Sequence, residues 1–288
     1  MTTESLSLAH FTVLIINWQY GGVDRRSRDR SAWLRSVNVI NQVRPMIVLA
    51  QEMDCQGNPA QLHQHLEATA TALGGMTSIL GPPASGTGGN HTAIFVRASA
   101  GLQVINRWPT SAPAGPREPW WCSAQVKIPG VAPAAHLYSV HLSPRSALDQ
   151  LRAVQIVTSL VTEGIQFALV GGDFNGYPRQ PEISPEVLAG LPRHLQMTRC
   201  RPGPNGLIPN HDVADELQRA QLFDIAAHLD ETGRGPSDLR PTTEDGARVD
   251  RCHGDKRWAA AAREAKNLAV GSDHQALAVT FDLTGMAA

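Results

Sequence analysis

The chain has 288 residues, of which 42% are hydrophobic and 18% are charged, and its 25 glycines and 20 prolines are scattered along it. This is the composition of a globular protein, and it excludes a collagen, a coiled coil and an extensively disordered chain. The 25 basic and 26 acidic residues leave a formal charge of −1, which excludes attraction of nucleic acid to the whole surface, so a polyanion would have to be bound locally.

The cysteines and the N-terminal residues bear on the compartment. The absence of a Cys-x-x-Cys pair argues against a zinc site or a redox motif. Buried thiols in a reducing compartment are expected instead at Cys55, Cys122, Cys200 and Cys252. The first apolar run, FTVLII at 11–16, follows no basic segment and is too short to cross a membrane. We therefore predict a cytoplasmic protein without a membrane span, with one domain over 1–288 because no linker divides the chain; the sequence leaves its oligomeric state open.

Apolar strands and amphipathic helices alternate through the first part of the chain. The runs 11–17 and 46–52 predict buried strands. Between them, apolar residues at helical spacing predict a helix over 31–43, which Pro45 ends. A second helix is predicted from Pro59 to about Gly74. Strands bounded by glycine and proline follow at 76–80, 91–97 and 102–108.

The second part of the chain continues this alternation around a long irregular region. Two alternating segments, 120–128 and 135–142, predict neighbouring strands. Residues 145–164 form the clearest amphipathic helix, and 167–172 is an apolar strand buried on both faces. The region 177–210, rich in proline and arginine, is predicted to be a loop. The chain is then expected to form a helix near 211–229, a loop to about 246 and strands near 247–252 and 275–282.

The strongest local signal is GGDFNG at 171–176, directly after an apolar strand. In an extended segment, Asp173 and Asn175 would point to the same face. A carboxylate and a carboxamide there would bind a hard cation and a phosphate oxygen together. The same residue types also favour a tight turn after a strand, and the motif alone does not decide between the two interpretations.

Two histidines also stand at strand ends. His141 ends an alternating segment, and Asp273 with His274 precedes the last apolar strand. A histidine acts as a general base or polarises a phosphate near neutral pH. Each position also fits a structural interpretation, a strand-end histidine in one case and a surface turn in the other.

Further polar residues occupy equivalent places. Glu52 ends the second apolar strand, where a carboxylate suits Mg²⁺, and Asn17 ends the first. In RVDRC, Arg248 and Asp250 would share a face if extended. Active sites assembled at strand ends are the usual plan of α/β enzymes, which makes this common placement informative.

Seven motifs in order resemble the endonuclease/exonuclease/phosphatase superfamily. They are IINWQYGG, VLAQEMD, NHTAIFVR, LYSVHLSP, LVGGDFNG, RVDRC and VGSDHQAL, and they extend from Asn17 to His274. Each motif is weak, but seven in the right order are specific. The resemblance implies an α/β fold, a four-layer α/β sandwich with two central mixed β-sheets flanked by helices, with the site at one end of it.

The resemblance also implies a metal site. By motif position, Asn17, Glu52 and Asp273 correspond to its residues, with Glu52 as the principal ligand of Mg²⁺ and with Mn²⁺ as a substitute. Arg117 is a looser match to an arginine that contacts the phosphate of the substrate.

The implied catalytic residues are five. His141 would bind the phosphate, Asp173 would orient or deprotonate the attacking water, and Asn175 would hold a phosphate oxygen. His274 would polarise the phosphoryl group, and Asp250 would pair with it and fix its tautomer.

The sequence departs from the better-known branches at two points. No residue matches the glutamate that partners the first histidine in deoxyribonuclease I-like enzymes. Trp120 and Trp121 stand where apurinic enzymes carry a tyrosine, and they would either stack a base or pack in the core.

These features together predict a Mg²⁺-dependent phosphodiesterase acting on nucleic acid, DNA foremost. The alternative is a phosphomonoesterase acting on a small phosphorylated metabolite or a lipid head group, which the near-neutral charge keeps open. A catalytically inactive binding protein is a third hypothesis, and the intact metal and histidine positions argue against it.

Overall fold

The computed structural model describes residues 7–24, 26–54, 59–83, 91–108, 121–164 and 166–286. Its strands are β1 Phe11–Asn17, β2 Ile47–Gln51, β3 Thr77–Pro83, β4 His91–Val96, β5 Gln103–Trp108, β6 Trp121–Lys127, β7 Ala135–His141, β8 Ala168–Asp173, β9 Cys200–Gly203, β10 Gly206–Pro209, β11 Phe223–Asp224, β12 Asp250–Gly254, β13 Ala262–Leu268 and β14 Ala276–Phe281. Its helices are α1 Ser31–Val43, α2 Pro59–Ala72, α3 Ala147–Thr162, α4 Pro185–Gly190, α5 Arg193–Arg199, α6 Asp212–Arg219, α7 Ile225–Thr232 and α8 Lys256–Ala261.

Two six-stranded sheets dominate the described part of the chain. Sheet A has the strand order β13-β14-β1-β2-β4-β3, and sheet B has the order β11-β12-β8-β7-β6-β5. Each sheet is mixed, because one pair in each is parallel, β1 with β2 and β7 with β8, while the other pairs are antiparallel.

Strand alternation sorts the apolar side chains into layers. Val13 and Ile15 of β1 lie in the core between the two sheets, whereas Leu14 and Ile16 face α1 and α2 on the outer side of sheet A. On the outer side of sheet B, Val170 packs with side chains of α3 and α6. The layers are therefore helix, sheet, sheet and helix, and the predicted four-layer α/β sandwich is confirmed.

The strand register gathers the polar strand ends at one edge of the sandwich. In sheet A, Asn17 pairs with Gln51, so Glu52 follows beside it. In sheet B, Asp173 has His141 on one side and Asp250 on the other. The polar residues that follow these apolar strands therefore lie together at one edge of the two sheets.

The chain departs from the predicted elements where tertiary contacts decide the structure. The region 177–210 is not a loop, because it contains α4, α5 and the β9–β10 hairpin around an apolar cluster that it shares with Ala247 and Val249. The helix expected near 211–229 is interrupted at Gln221, which has φ 59°, and continues as α7 after β11. Strand β13, AREAKNL, carries helix-forming residues but pairs with β14 along the edge of sheet A, so context overrides propensity.

Other expectations concern the cysteines and the membrane. Cys122, Cys200 and Cys252 are buried free thiols, as predicted, and Cys55 lies outside the described residues. No helix in the described ranges has the length and apolar character needed to cross a membrane. The single domain, the reducing compartment and the cytoplasmic location stay predictions.

Candidate active site

Asn17 connects the two sheets at the site. Its Nδ2 donates to Oε1 of Glu52 at 3.3 Å and to Oδ2 of Asp173 at 3.1 Å. Its Oδ1 accepts from the backbone N–H of Gln19 at 3.1 Å, which fixes the orientation of the amide. Asn17 therefore presents a nitrogen donor to two carboxylates and holds them on either side of it.

Glu52 lies just past the end of β2 in a left-handed conformation, with φ 54°. Such a backbone is unfavourable for a residue other than glycine and costs about 1–3 kcal/mol. The turn that precedes α1 stabilises it, because Gly21 donates its N–H to the Glu52 carbonyl at 2.7 Å and Tyr20 donates to Oε2 at 3.4 Å. The side chain keeps 17% of its surface exposed, so a cation can reach the carboxylate from solvent.

His141 lies beside both carboxylates that Asn17 holds. Its Nε2 is 3.8 Å from Oε1 of Glu52 and 3.7 Å from Oδ2 of Asp173. These distances exceed a hydrogen bond, so the imidazole faces the two carboxylates without being tied to either. Within the described part of the chain, Nδ1 of this buried ring has no hydrogen-bond partner.

Asp173 and Asn175 form a tight turn at the end of β8. The backbone N–H of Asn175, which has φ 48°, donates to Oδ1 of Asp173 at 2.8 Å. Nδ2 of Asn175 donates to the Leu142 carbonyl at 2.9 Å, and Gln150 donates to the Asn175 carbonyl at 3.1 Å. The backbone is therefore that of a tight turn rather than of an extended segment, and the binding roles of the two side chains stay predictions. The same turn leaves Oδ2 of Asp173 directed at Asn17 and His141.

Asp250 and His274 form a buried pair on the other side of Asp173. Nδ1 of His274 donates to Oδ2 of Asp250 at 2.7 Å, and Thr242 Oγ1 accepts from the Asp250 backbone N–H at 3.1 Å. Burial alone would lower the pKa of His274, but the charge of Asp250 and its hydrogen bond outweigh burial and raise that pKa to about 10. His274 is therefore an imidazolium at neutral pH, and among the described residues its Nε2–H has no hydrogen-bond partner, so it can donate to a ligand.

Asp273 lies at the exposed rim of the site. Its Oδ2 accepts from Nε2 of Gln19 at 2.8 Å, and its Oδ1 accepts from Oγ of Ser272 at 3.1 Å. Gln19 thus links Asp273 to Asn17. Gln19 lies within the motif IINWQYGG, but the motif assigns it no role, and no periodicity marks it, because its partner is 254 residues away.

Gln51 and Ser139 are two further residues at the site that the sequence did not predict. Both are fully buried between the sheets, where Nε2 of Gln51 donates to Oγ of Ser139 at 3.0 Å and that hydroxyl donates to the Ala50 carbonyl at 2.9 Å. They join β2 to β7 directly beneath Glu52 and His141. A glutamine inside an otherwise apolar strand is a signal that could have identified this contact.

The remaining predicted residues lie elsewhere. Arg117 and Trp120 lie outside the described residues, so their roles stay predictions. Trp121 packs in the apolar layer outside sheet B, with its ring edge-on to Tyr138 at 5.8 Å, which favours the core interpretation for it. Arg248 does not share a face with Asp250: it precedes β12 and pairs with Asp224 at 2.6 Å.

The donor set fits a hard cation. Oxygen ligands are available from Glu52, Asp173 and Asp273, and Mg²⁺ takes such ligands. Among the residues that the structure describes, Glu52 and Asp173 have no lysine or arginine within ion-pair distance, so their charge is not neutralised by a basic side chain of that kind. Asp173, Asp250 and His274 also offer three ligand atoms within 4.8 Å of one another, although Asp250 already occupies Nδ1 of His274.

Comparisons with known proteins identify the fold. No protein-family profile and no curated protein matches the sequence. Among solved structures, an AP endonuclease from Archaeoglobus fulgidus has a TM-score of 0.64 at 15% identity, over 94% of this chain and 99% of that one. An endonuclease/exonuclease/phosphatase from Bacteroides vulgatus has a TM-score of 0.64 at 14% identity, over 94% and 98%. A mannosyl-6-phosphatase from Bacteroides thetaiotaomicron VPI-5482 has a TM-score of 0.61 at 16% identity, over 93% and 98%.

These likenesses confirm the resemblance to the endonuclease/exonuclease/phosphatase superfamily at the level of the fold. At identities of 14–16%, they show the architecture alone. What the chain does has to be argued from its own side chains.

Proposed function

We propose that this protein is a Mg²⁺-dependent phosphodiesterase that hydrolyses nucleic-acid phosphodiester bonds, those of DNA foremost, by attack of water. One observation carries the proposal. Two carboxylates and two histidines from different strand ends converge around Asp173, which lies beside both the His141–Glu52 contact and the Asp250–His274 pair.

The metal would be held on the Glu52 side of this cluster. Glu52 is the principal ligand, Asp273 is the carboxylate at the rim, and Asn17 orients Glu52 through its Nδ2–H. When bound there, Mg²⁺, or Mn²⁺ in its place, supplies positive charge for the phosphoryl oxygens and the leaving group.

The side chains around Asp173 supply the rest of the chemistry. Oδ2 of Asp173 accepts a hydrogen bond from the attacking water and takes its proton. Nε2–H of His274 donates to a phosphoryl oxygen, whose negative charge grows in the transition state. Asp250 keeps that imidazole charged and oriented through the 2.7 Å contact.

Two further side chains bind the phosphate in this proposal. His141 lies beside Oδ2 of Asp173 and contacts the phosphoryl group from the sheet B side. Asn175 has a second Nδ2–H beyond the one bonded to the Leu142 carbonyl, and it donates to a phosphate oxygen. Arg117 is proposed as a further phosphate contact on the sequence resemblance alone.

Nucleic acid is the leading substrate on the resemblance of the sequence motifs, and an AP endonuclease is among the proteins of similar fold. The competing candidate is a small phosphate ester, which is a phosphorylated metabolite or a lipid head group. The net charge of −1 favours it, since affinity for nucleic acid rests on many phosphate contacts. A mannosyl-6-phosphatase also has this fold.

The test is nicking of supercoiled plasmid with Mg²⁺ and with EDTA. Glu52→Gln and His274→Ala should each lower the rate by about 100-fold or more, because each removes a transition-state contact. Matched controls are Glu67→Gln and His63→Gln, which change the same residue types at exposed positions of α2 and should nick at the wild-type rate.

Each outcome assigns the function. Nicking that needs metal and both residues supports the nuclease. Orthophosphate release from phosphorylated metabolites without nicking supports the small-ester enzyme. Near-wild-type hydrolysis by His274→Ala contradicts the assignment of the site. Folded protein that binds no Mg²⁺ in calorimetry would indicate the catalytically inactive binding protein.

A further inference from the structure

Arg251 is a buried cation directly behind the proposed site. It follows Asp250 on β12, so the two side chains point to opposite faces of sheet B. Asp250 points to His274, whereas the guanidinium of Arg251 lies over the ring of Phe174, 4.7 Å from its centroid, in the layer outside sheet B. The Arg251 side chain is completely buried.

Arg251 contacts the residues on both sides of Asn175. Its Nη1 donates to the Gly176 carbonyl at 2.6 Å, and its guanidinium covers the Phe174 ring. The same Nη1 donates to the Arg248 carbonyl at 3.2 Å, which ties this turn to the segment before β12. The left-handed Asn175 is therefore held from behind through both of its neighbours.

The surroundings of Arg251 are arranged to keep this cation in place. Its Nε donates to Nε2 of His253 at 3.4 Å, which requires a neutral imidazole. Burial, assisted by the neighbouring guanidinium groups, lowers the pKa of His253 to about 4 despite the opposing charge of Asp224. Burial also lowers the pKa of Arg251, but only to about 10, so the guanidinium stays charged at neutral pH.

Packing alone does not account for an arginine here. Burying a charged group costs several kcal/mol, and an apolar side chain of similar volume is often as stable. An apolar side chain, however, could not donate to the Gly176 carbonyl. The polar contact with the turn is what an arginine adds at this position.

We propose that Arg251 is a positioning residue that holds the Phe174–Gly176 turn, and through it the carboxamide of Asn175 and the carboxylate of Asp173, in the geometry that hydrolysis requires. The inference rests on the proposed function for its effect on rate. The contact itself does not depend on that function.

The experiment compares Arg251→Met and Arg251→Lys with Arg248→Met. Arg248 is a matched control, because it is also a buried arginine of this segment, but its guanidinium pairs with Asp224 and donates to the Gln180 carbonyl rather than to the turn. We expect Arg251→Met to lower kcat by about 10- to 100-fold with KM within about threefold, since a displacement of about 1 Å can cost about 100-fold. Arg251→Lys keeps the charge but not the planar guanidinium, so its kcat should lie between those of the wild type and Arg251→Met.

A second measurement needs no substrate. Hydrogen exchange of the Asn175 backbone N–H, which donates to Oδ1 of Asp173, should accelerate at least about tenfold in Arg251→Met and Arg251→Lys at constant global stability. In Arg248→Met, this exchange should follow only the change in global stability. If Arg251→Met does not fold, Arg251→Lys provides both measurements.

The inference is overturned if the Arg251 variants exchange this N–H at the wild-type rate. It is also overturned if Arg251→Met and Arg248→Met lose kcat equally. If the wild type hydrolyses no phosphate ester, the proposed function fails by itself, and the exchange measurement still decides whether Arg251 positions the turn.

Discussion

Replacing Asp250 by asparagine tests whether His274 acts as a buried cation. The substitution keeps the size of the side chain and removes its charge. Burial lowers the pKa of His274, and the charge and hydrogen bond of Asp250 are what raise it to about 10. Without that charge, the remaining interactions that raise the pKa are too weak to offset burial, so the pKa of His274 should fall below its ordinary value of 6.5.

The size of the effect follows from these two values. The difference between about 10 and 6.5 corresponds to about 5 kcal/mol of preference for the charged imidazole. At pH 8.5, His274 of the wild type is almost fully charged, while a group with a pKa of 6.5 or lower is about 1% charged. The ratio of wild-type to Asp250→Asn kcat/KM should therefore grow about tenfold per pH unit above pH 6.5 and exceed about 100-fold at pH 8.5. Near pH 5.5 it should be much smaller.

The titration can be measured directly and in the hydrolysis rate. In metal-free protein, the Cε1–H resonance of His274, assigned with His274→Ala, should titrate near pH 10 in the wild type and below pH 6.5 in Asp250→Asn. Asp230→Asn, which changes an exposed aspartate at the end of α7, is the control. It should leave the wild-type titration of the His274 resonance and the wild-type pH dependence of the hydrolysis rate unchanged. A His274 that titrates near pH 6.5 in the wild type would refute the charged pair, as would a rate ratio that does not vary with pH.

Three further substitutions test the metal site, the pairing of β8 with β7 and the buried charges. Glu52→Gln should weaken Mg²⁺ binding by at least about tenfold in calorimetry with an unchanged free energy of unfolding; unchanged affinity would remove Glu52 as the principal ligand. Gly172→Ala should lower the free energy of unfolding in urea by at least about 4 kcal/mol, because at φ 153° a Cβ there would lie 1.9 Å from the Val140 carbonyl oxygen. Gly190→Ala places its Cβ in open space and should change that free energy little. Equal effects would contradict the register of β8. Asp224→Asn should cost about 3–5 kcal/mol at pH 7 by leaving Arg248 unpaired. Burial raises the pKa of Asp224, but the charge of Arg248 lowers that pKa by more, so it lies well below 3.8 in the folded protein. The stabilisation is therefore present above pH 3.8 and is lost as the pH falls through the folded pKa. A difference in unfolding free energy between wild type and Asp224→Asn that stays constant down to pH 2 would contradict this.

The parts of the site that the sequence predicts are those set by strand endings. Apolar runs that end in Asn17, Glu52, His141 and Asp173 form two parallel pairs, and parallel strands bring the same ends to the same edge. The order of residues along each run therefore determines the position of these side chains, whichever loops connect them. These runs alone predict an α/β domain, and the four-layer arrangement was implied by the resemblance of the seven motifs.

The parts that the sequence did not predict depend on contacts between distant segments. Gln19 reaches Asp273 and Thr242 supports Asp250, yet neither stands in a periodic pattern or at the end of a strand. The edge strand β13 and the helices between 177 and 210 have compositions that also fit other structures, and only their packing against neighbours decides between them. Local propensity is too weak to fix such segments.

The charges at the site indicate the order in which ligands bind. Glu52 and Asp173 have no lysine or arginine partner in the described ranges, and Asp250 is balanced by His274. A phosphate approaching this cluster meets excess negative charge, and a divalent cation beside Glu52 neutralises most of it. Binding of inorganic phosphate should therefore be undetectable in metal-free protein and appear in calorimetry once Mg²⁺ is present. Glu52→Gln should require more Mg²⁺ for the same phosphate binding, and Glu67→Gln should not. Phosphate that binds equally well with and without Mg²⁺ would show that the histidines and Asn175 suffice, and the carboxylates would then need another explanation.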